Sequence, residues 1–218
     1  MLITFEGIDA SGKSTQLRLL REYLFGKGKK VLLVREPGGV DVSEKIRALL
    51  LDNKNSISPA SELLLFSASR SELMHRVVMP ALQEGKLVLM DRFYDSTTAY
   101  QGYGRGLDLD VIAAINRIAS FNIQPSLTVY LDLLPEDALM RKFSEKSLPL
   151  SFGKEEQPLD RMESSGLEFY RRVRAGYKHL LVQHPHRFIE IDALKSITEI
   201  HQEIVAALKS RGLFITAP

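Results

Sequence analysis

Apolar runs of four or five residues alternate with longer stretches of helical period along this chain of 218 residues. The runs have the length and composition of buried strands and cover residues 2–5, 31–34, 87–90, 127–131 and 188–191. After the first run, Leu17, Leu20 and Leu24 repeat with helical spacing, and Gly26 and Gly28 end the predicted helix. The pattern predicts an α/β fold with a five-stranded parallel sheet, buried on both sides and covered by helices on both faces.

Two later segments complete the predicted organisation. A final amphipathic helix is expected at 197–208, with one face formed by Ile197, Ile200, Ile204 and Leu208. Residues 144–158 show neither period and are rich in Ser, Pro, Gly, Lys and Glu, which predicts a mobile loop. No internal repeat is visible, so we expect residues 1–218 to form one domain with a mobile lid at about 142–163.

Composition excludes several functions. The formal charge of +2 comes from nearly equal numbers of basic and acidic residues, which gives no indication of a nucleic-acid partner. Because the chain has no cysteine, it has neither disulfides nor thiol catalysis. Glu6 and Asp9 interrupt the apolar start, which has no basic leader and therefore predicts neither a signal peptide nor a membrane span. A cytoplasmic enzyme is the expectation.

The segment after the first strand fits the phosphate-binding pattern G-x-x-x-x-G-K-[ST] and stands between a strand and a helix, as that mechanism requires. Lys13 would reach the β- and γ-phosphates of ATP, and Ser14 would give a hydroxyl to Mg²⁺. The alternative is an ordinary Gly-rich turn with a helix cap at Ser14. The predicted ATP contacts in this segment are Gly7, Ile8, Asp9, Ala10, Ser11, Gly12, Lys13, Ser14 and Thr15.

Charged residues also follow the second and third strands, where ligands bind in parallel folds. Arg35 and Glu36 precede Pro37 and two glycines, which place a charged pair at this edge or simply shape a turn. Asp91 would hold a metal-bound water and Arg92 would span two phosphates, with a structural ion pair as the competing interpretation.

A helical stretch between these strands carries a second candidate site. Phe66 and Arg70 are four residues apart and therefore share a helix face, where a ring and a guanidinium would read a nucleobase. An apolar helix with a phenylalanine is more often part of the core, and that interpretation stays open. Arg47 falls on a predicted helix at 44–51, where a solvated face is the ordinary interpretation.

Taken together, the motifs resemble those of the thymidylate kinase (dTMP kinase) family from residue 2 to about 193. The residues that carry the resemblance are Phe5-Glu6-Gly7, Arg35-Glu36-Pro37-Gly38-Gly39, Leu65-Phe66-Ser67-Ala68-Ser69-Arg70, Asp91-Arg92-Phe93, Ser96-Thr97-Thr98-Ala99-Tyr100-Gln101-Gly102 and Asp160-Arg161-Met162-Glu163. It implies a P-loop NTPase fold, transfer of the γ-phosphoryl group of Mg-ATP to dTMP, and a symmetric homodimer.

The resemblance assigns roles around the acceptor. Phe66 is similar to the residue that stacks on thymine, and Arg70 to the one that hydrogen-bonds its O4 atom. Thr97 and Gln101 correspond to further base contacts, and Tyr100 to the residue that disfavours a 2′-hydroxyl. The remaining expected dTMP contacts are Asp9, Glu36, Pro37, Arg47, Arg92 and Ser96, of which Arg47 and Arg92 resemble the pair that holds the dTMP phosphate.

Further roles concern the metal, the donor and the lid. The expected catalytic residues are Asp9, Lys13, Asp91 and Arg92, and the expected metal-side residues are Asp9, Ser14, Asp91 and Glu163. Arg141 resembles a donor-side arginine, and Arg161 is assigned to the lid. Asp160 and Glu163 open the helix after the lid and resemble acids that line the site. One branch of the family has a P-loop arginine where this sequence has Ala10 or Ser11, so the chain resembles the bacterial type, in which the lid supplies the cation. Here Lys146 and Lys154 stand where arginine is common.

Two other functions remain open from the residues alone. A deoxynucleoside kinase would need a carboxylate base beside a sugar hydroxyl, and Glu36 is the candidate. A P-loop ATPase or GTPase switch would bind partners instead of making a metabolite, but the N-K-x-D base-reading motif of GTPases is missing after the fourth strand.

Overall fold

The computed structural model describes residues 1–146 and 161–213. Five parallel strands form one sheet in the order β2-β3-β1-β4-β5. Their bounds are β1 Leu2–Glu6, β2 Val31–Arg35, β3 Leu87–Asp91, β4 Leu127–Asp132 and β5 Phe188–Asp192. The sequence prediction of a five-stranded parallel α/β fold is confirmed, and most of the predicted lid at about 142–163 lies outside the described residues.

Each strand continues one residue beyond its predicted end, and the added residue is charged in every case. These residues are Glu6, Arg35, Asp91, Asp132 and Asp192. The ladder extends to them, since Arg35 is in register with Asp91 and Asp132 with Asp192. Because all strands are parallel, the charged ends lie along one edge of the sheet.

Helices connect the strands and cover both faces. The α-helices are α1 Lys13–Gly26, α2 Asp41–Leu51, α3 Pro59–Leu73, α4 Met79–Gln83, α5 Tyr94–Thr97, α6 Leu109–Ala119, α7 Pro135–Lys146, α8 Leu167–Gln183 and α9 Ile197–Ser210. Two π-helical segments, Met74–Val78 and Thr98–Gly104, continue α3 and α5. None of the helices in the described ranges is long and apolar enough to cross a bilayer.

The sheet is buried on both sides only at its centre. The apolar residues of β1, β3 and β4 are buried, whereas β2 and β5 are edge strands with partly exposed side chains, such as Leu33. The prediction of full burial is therefore wrong for the two edge strands, each of which has a neighbouring strand on one side only. The predicted final amphipathic helix is α9, in which Ile200, Ile204 and Leu208 are buried, whereas Ile197, in the first turn, is exposed.

The segment after the predicted lid also differs from expectation. A single 3₁₀ turn spans Glu163–Ser165, and α8 begins only at Leu167. The interpretation of Glu163 as the start of the long helix is therefore wrong. Gly166 has a φ of 81°, a conformation that interrupts helical geometry, and so separates the two elements.

A buried ion pair joins α5 to β4 and to the residue that precedes β5. The Arg187 guanidinium donates to both carboxylate oxygens of Asp95, at 2.6 and 2.8 Å, and to Thr128 Oγ1 at 2.8 Å. The Asp95 and Arg187 side chains are 1% and 5% exposed. Each charge is therefore stable inside the protein only while the other is present.

Replacing Arg187 with leucine leaves the Asp95 carboxylate buried without its cation, and we expect the free energy of unfolding to fall by about 3–5 kcal/mol. Urea denaturation followed by circular dichroism measures this change. Arg18→Leu is the matched control, because Arg18 pairs with Glu22 at the surface, where both side chains are about 60% exposed and such pairs contribute little. Equal losses in the two variants would contradict the role of Arg187 as a structural anchor.

Candidate active site

The phosphate loop lies between the end of β1 and the start of α1. Gly7 has a φ of 136°, and a Cβ atom there would stand 2.5 Å from the Leu131 carbonyl oxygen, so only glycine fits. Gly12 occupies the position before α1 and has no side chain to cap the first helical N–H groups. Those N–H groups and the positive end of the helix dipole favour an anion.

Lys13 is folded inward at the base of this loop. Its Nζ atom donates to the carbonyl oxygens of Gly7 and Ile8 at 3.0 and 2.9 Å, and it lies within 3.5 Å of Ser11 Oγ. Burial, reinforced by the nearby Arg92 cation, lowers the pKa of Lys13 to about 8. The ammonium group is therefore held where incoming negative charge would restore its ordinary pKa.

Two of the residues predicted for metal chemistry lie side by side. Ser14 Oγ donates to Asp91 Oδ2 at 3.1 Å, and both line a polar cavity of about 400 Å³ in front of the loop. Asp9 and Arg92 line the same cavity. The side chain of Glu163, the fourth predicted metal residue, lies outside the described part of the structure.

A second cavity, of about 110 Å³, adjoins the first. All eleven residues predicted to contact dTMP line it, namely Asp9, Glu36, Pro37, Arg47, Phe66, Arg70, Arg92, Ser96, Thr97, Tyr100 and Gln101. Sequence reasoning missed three further residues on its wall, Leu51, Phe93 and Met162. Asp9, Glu36, Arg47 and Arg92 belong to both cavities and therefore form the boundary between them.

Arg70 is both a core residue and a wall of the smaller cavity. It is 2% exposed, and three of its N–H groups are committed to Glu36 Oε2 at 2.8 Å, Asn116 Oδ1 at 3.0 Å and Thr97 Oγ1 at 2.8 Å. Since a guanidinium has five N–H groups, two remain after these bonds. The two interpretations of the Phe66–Arg70 face, core and base recognition, are therefore compatible at Arg70.

Arg92 stands at the boundary between the two cavities. Its Nη2 atom donates to Asp9 Oδ1 at 2.8 Å, its Nη1 atom to Ser96 Oγ at 3.2 Å, and its guanidinium lies 5.0 Å from the centre of the Tyr100 ring. Burial opposes ionisation of Asp9, but the Arg92 and Lys13 cations outweigh it and lower the pKa of Asp9. Arg92 itself has a φ of 67°, the left-handed region that residues with a Cβ rarely adopt.

Glu6 is a functional neighbour that sequence reasoning missed. Its Oε1 atom accepts the backbone N–H of Phe93 at 2.8 Å, and its Oε2 atom accepts from Ser96 Oγ at 2.6 Å and Tyr177 Oη at 2.9 Å. Burial and the nearby Asp95 charge raise the pKa of Glu6 to about 7. Its position as the last residue of an otherwise apolar strand was the available signal.

The Arg141 side chain lies beside the loop, between α7 and the end of β5. This residue donates to the carbonyl oxygens of Ala10 at 3.0 Å and Ala193 at 2.6 Å, so it joins α7 to the loop and to the end of β5. A third cavity of about 610 Å³ opens here, and Arg141 lines it together with Ser11, Gly12 and Thr15.

The predicted lid residues separate into two groups. Arg161 is described and acts as an anchor, because it donates to the Leu50 carbonyl oxygen at 2.8 Å and pairs with the buried Glu62. The side chain of Lys146, and Lys154 and Asp160 altogether, lie outside the described residues.

The sheet order and the glycine-rich loop after β1 define a P-loop NTPase fold. The family model described as Thymidylate kinase matches residues 5–204. The chain belongs to the thymidylate kinase family.

Similar proteins cover almost the whole chain. The thymidylate kinase of Chlorobaculum parvum is 62% identical over 210 residues, which are 96% of this chain and 96% of that protein. That of Chlorobaculum tepidum is also 62% identical, over 95% of this chain and 96% of its own length. A crystal structure of thymidylate kinase from Ehrlichia chaffeensis is 35% identical, has a TM-score of 0.74, and covers 95% of this chain and 98% of its own.

Glu36 predicts a pH-dependent contribution to stability. It is buried, its Oε1 atom has no hydrogen-bond partner among the described groups, and burial raises its pKa to about 7 in spite of Arg70. Between about pH 4.5 and 7, the folded chain keeps a proton on Glu36 that the unfolded chain has released. The contribution of Glu36 therefore favours folding at low pH and is lost as the pH rises through 7.

Glu36→Gln cannot ionise, so its stability relative to the unmodified chain should improve as the pH is raised across this window. Chemical denaturation of both chains at a series of pH values measures the difference. If the two stability curves stay parallel from pH 4.5 to 8, Glu36 does not retain its proton in the folded state.

Proposed function

We propose that this chain transfers the γ-phosphoryl group of ATP to the phosphate of dTMP at the junction of the first two cavities. Membership of the thymidylate kinase family shows the reaction itself, an ATP-dependent phosphotransfer that converts dTMP to dTDP. One observation supports this location of the reaction. The eleven expected acceptor contacts, spread over residues 9–101, line one cavity beside the phosphate loop. The acceptor of this family already carries a phosphate, which argues against a deoxynucleoside kinase. Membership of a kinase family argues in the same way against a P-loop switch.

In this proposal the smaller cavity holds the nucleoside of dTMP. Phe66, half-buried on its wall, stacks on the thymine ring, and Arg70 donates to a base carbonyl through an N–H group that its three protein bonds leave over. Thr97 and Gln101 complete the base site, and Tyr100 crowds the 2′ position of the sugar. The apolar and aromatic wall favours a flat base, while its few polar groups fix the orientation.

The phosphate of dTMP would lie at the boundary between the cavities. Arg47 and Arg92 line both of them, and the Arg92 guanidinium has the planar shape that matches phosphate oxygens. In phosphoryl transfer, negative charge spreads over the oxygens of the migrating group, so a fixed cation here stabilises the transition state. Asp9 pairs with Arg92 and holds its guanidinium in place. In this proposal the Asp9 carboxylate also lies close to the sugar of dTMP.

ATP would occupy the phosphate loop and the cavity beyond it. The loop residues 7–15 surround the phosphates with backbone N–H groups, Lys13 exchanges its loop carbonyl partners for phosphate oxygens, and Arg141 lies on the nucleoside side. The two substrates then meet in front of Lys13 and Arg92. Binding thus aligns the attacking and leaving oxygens, which is most of what this reaction requires.

Mg²⁺ fits the pair formed by Ser14 and Asp91. A hydroxyl and a carboxylate 3.1 Å apart beside a phosphate loop suit an ion that keeps several waters and takes few protein ligands. When bound, the ion would neutralise charge on the phosphates. Ser14 would ligate it directly, Asp91 would hold its water, and Asp9 and Glu163 are the further candidates.

Further assignments concern the domain, the lid, the compartment and the assembly. We place the chain as one domain, 1–218, with a lid at about 142–163 from which Lys146 or Lys154 supplies a cation to the transferred group. A cytoplasmic homodimer is the proposed form, supported by exposed apolar side chains on three neighbouring helices: Val42 and Leu49 on α2, Leu64 on α3, and Val111 and Ile118 on α6.

The assay that tests this function offers the purified chain Mg-ATP with dTMP, dUMP, dCMP, dGMP, UMP or thymidine and follows ADP and the phosphorylated product. We expect dTDP to form preferentially, because the cavity combines a stacking ring with donor and acceptor groups for one base. ADP formation that is equally fast without an acceptor, or phosphorylation of thymidine alone, would contradict the acceptor site.

Arg92→Ala tests the role of the boundary arginine. We expect kcat to fall by about 100-fold or more, because the transition state loses a fixed cation. Arg171→Ala is the control, since Arg171 is an arginine exposed on α8 and pairs with Glu136 and Glu168 at the surface. Steady-state kinetics with dTMP measures both variants, and normal turnover by Arg92→Ala would rule out this assignment.

A further inference from the structure

A buried carboxylate stands behind the base site and contacts it through one side chain. Glu62 lies on α3 with no exposed surface, and its Oε1 atom accepts from Gln101 Nε2 at 2.8 Å. Arg105 donates to both of its oxygens at 3.2 Å, and Arg161 pairs with it as well. Glu62 therefore joins α3, the π-helical segment that carries Gln101, and the chain that leads into α8.

Glu62 is held in its ionised form. Burial alone would raise its pKa, but the hydrogen bonds from Arg105, Gln101 and Arg161 outweigh burial and lower the pKa. An ionised carboxylate can only accept hydrogen bonds. Whatever faces it must therefore be a donor.

This constraint decides which way the Gln101 carboxamide points. A carboxamide has a donor end, Nε2, and an acceptor end, Oε1. If the group were turned over, Oε1 would meet the Glu62 carboxylate, and two acceptors would face each other in a buried site, at a high cost. Gln101 is 2% exposed and lines the base cavity, and no described group bonds to its Oε1 atom.

We propose that Glu62 is a specificity-determining positioning residue, which makes Gln101 present an acceptor, its Oε1 atom, to the base. This inference rests on the proposed function. Arg70 presents only donors to the same cavity, so together the two side chains offer one donor and one acceptor. Thymine complements this pair with a carbonyl at C4 and an N–H at N3. A cytosine-type base has an amino group at C4 and a bare N3, and it is therefore mismatched at both positions.

The sharpest probe is 5-methyl-dCMP, because it keeps the methyl group, sugar and phosphate of dTMP and exchanges only the donor and acceptor groups. In Glu62→Gln, the neutral amide at position 62 can donate or accept, so Gln101 is free to turn over. We expect the ratio of kcat/KM for dTMP to that for 5-methyl-dCMP to fall on the order of tenfold. Coupled assays of ADP formation with each acceptor measure the ratio.

Arg105→Gln is the matched control. It also breaks a Glu62 ion pair and lowers stability, but it leaves Glu62 ionised by Arg161 and facing Gln101. Its selectivity ratio should stay at the value of the unmodified chain. A purely structural role for Glu62 would change stability in both variants and selectivity in neither.

A second variant tests the inference even if Glu62→Gln does not fold. Gln101→Met keeps the pairs of Glu62 with Arg105 and Arg161 and removes the acceptor, so it should lose a similar part of the selectivity. An unchanged ratio in Glu62→Gln or Gln101→Met overturns the inference while dTMP kinase activity stands. Failure of the unmodified chain to phosphorylate dTMP would overturn the proposed function as well.

Discussion

One buried carboxylate, Glu6, determines how the site is assembled. It ends β1, and its two oxygens accept from the backbone after β3, from Ser96 on α5 and from Tyr177 on α8. Two segments far apart in sequence, residues 93–96 and α8, are thereby tied to the end of the central strand. The backbone bond to Phe93 fixes the turn at Arg92, and Ser96 also accepts from the Arg92 guanidinium. The orientation of the Arg92 guanidinium therefore depends on Glu6, which acts through Ser96 and the turn at Arg92.

The parallel sheet explains why such contacts are possible. All five strands end in a charged residue, and parallel pairing places those ends at one edge. The side chains of four of them, Glu6, Arg35, Asp91 and Asp132, find partners on neighbouring helices there. Ser14 thus meets Asp91, although 77 positions separate them. Burial then assigns different properties to similar groups: the pKa of Glu6 and Glu36 is raised to about 7, whereas cations lower the pKa of Asp9. A single topology thus raises the pKa of two carboxyl groups and lowers that of a third within one site.

The sequence predicted most of the framework and of the cavity walls, because apolar runs and glycine-rich turns are local patterns. Strand ends were predicted one residue short, since a charged residue such as Asp91 ends an apolar run without ending the ladder. Glu62 and Glu6 were not predicted, because their partners lie up to 171 positions away and no period connects them. Arg161 was assigned to the lid by its neighbours in sequence, but its contacts with Leu50 and Glu62 make it an anchor.

Arg92 lines both cavities and has an unfavourable backbone conformation. Its φ of 67° is accessible to glycine without strain but costs a residue with a Cβ on the order of 1 kcal/mol or more. Selection for thermal stability alone would therefore favour glycine at this point of the chain. The protein gives up a little of its folding free energy to hold a guanidinium between the two cavities. Substitutions that improve its heat resistance are therefore easier to find in the edge strands and surface helices than at Arg92.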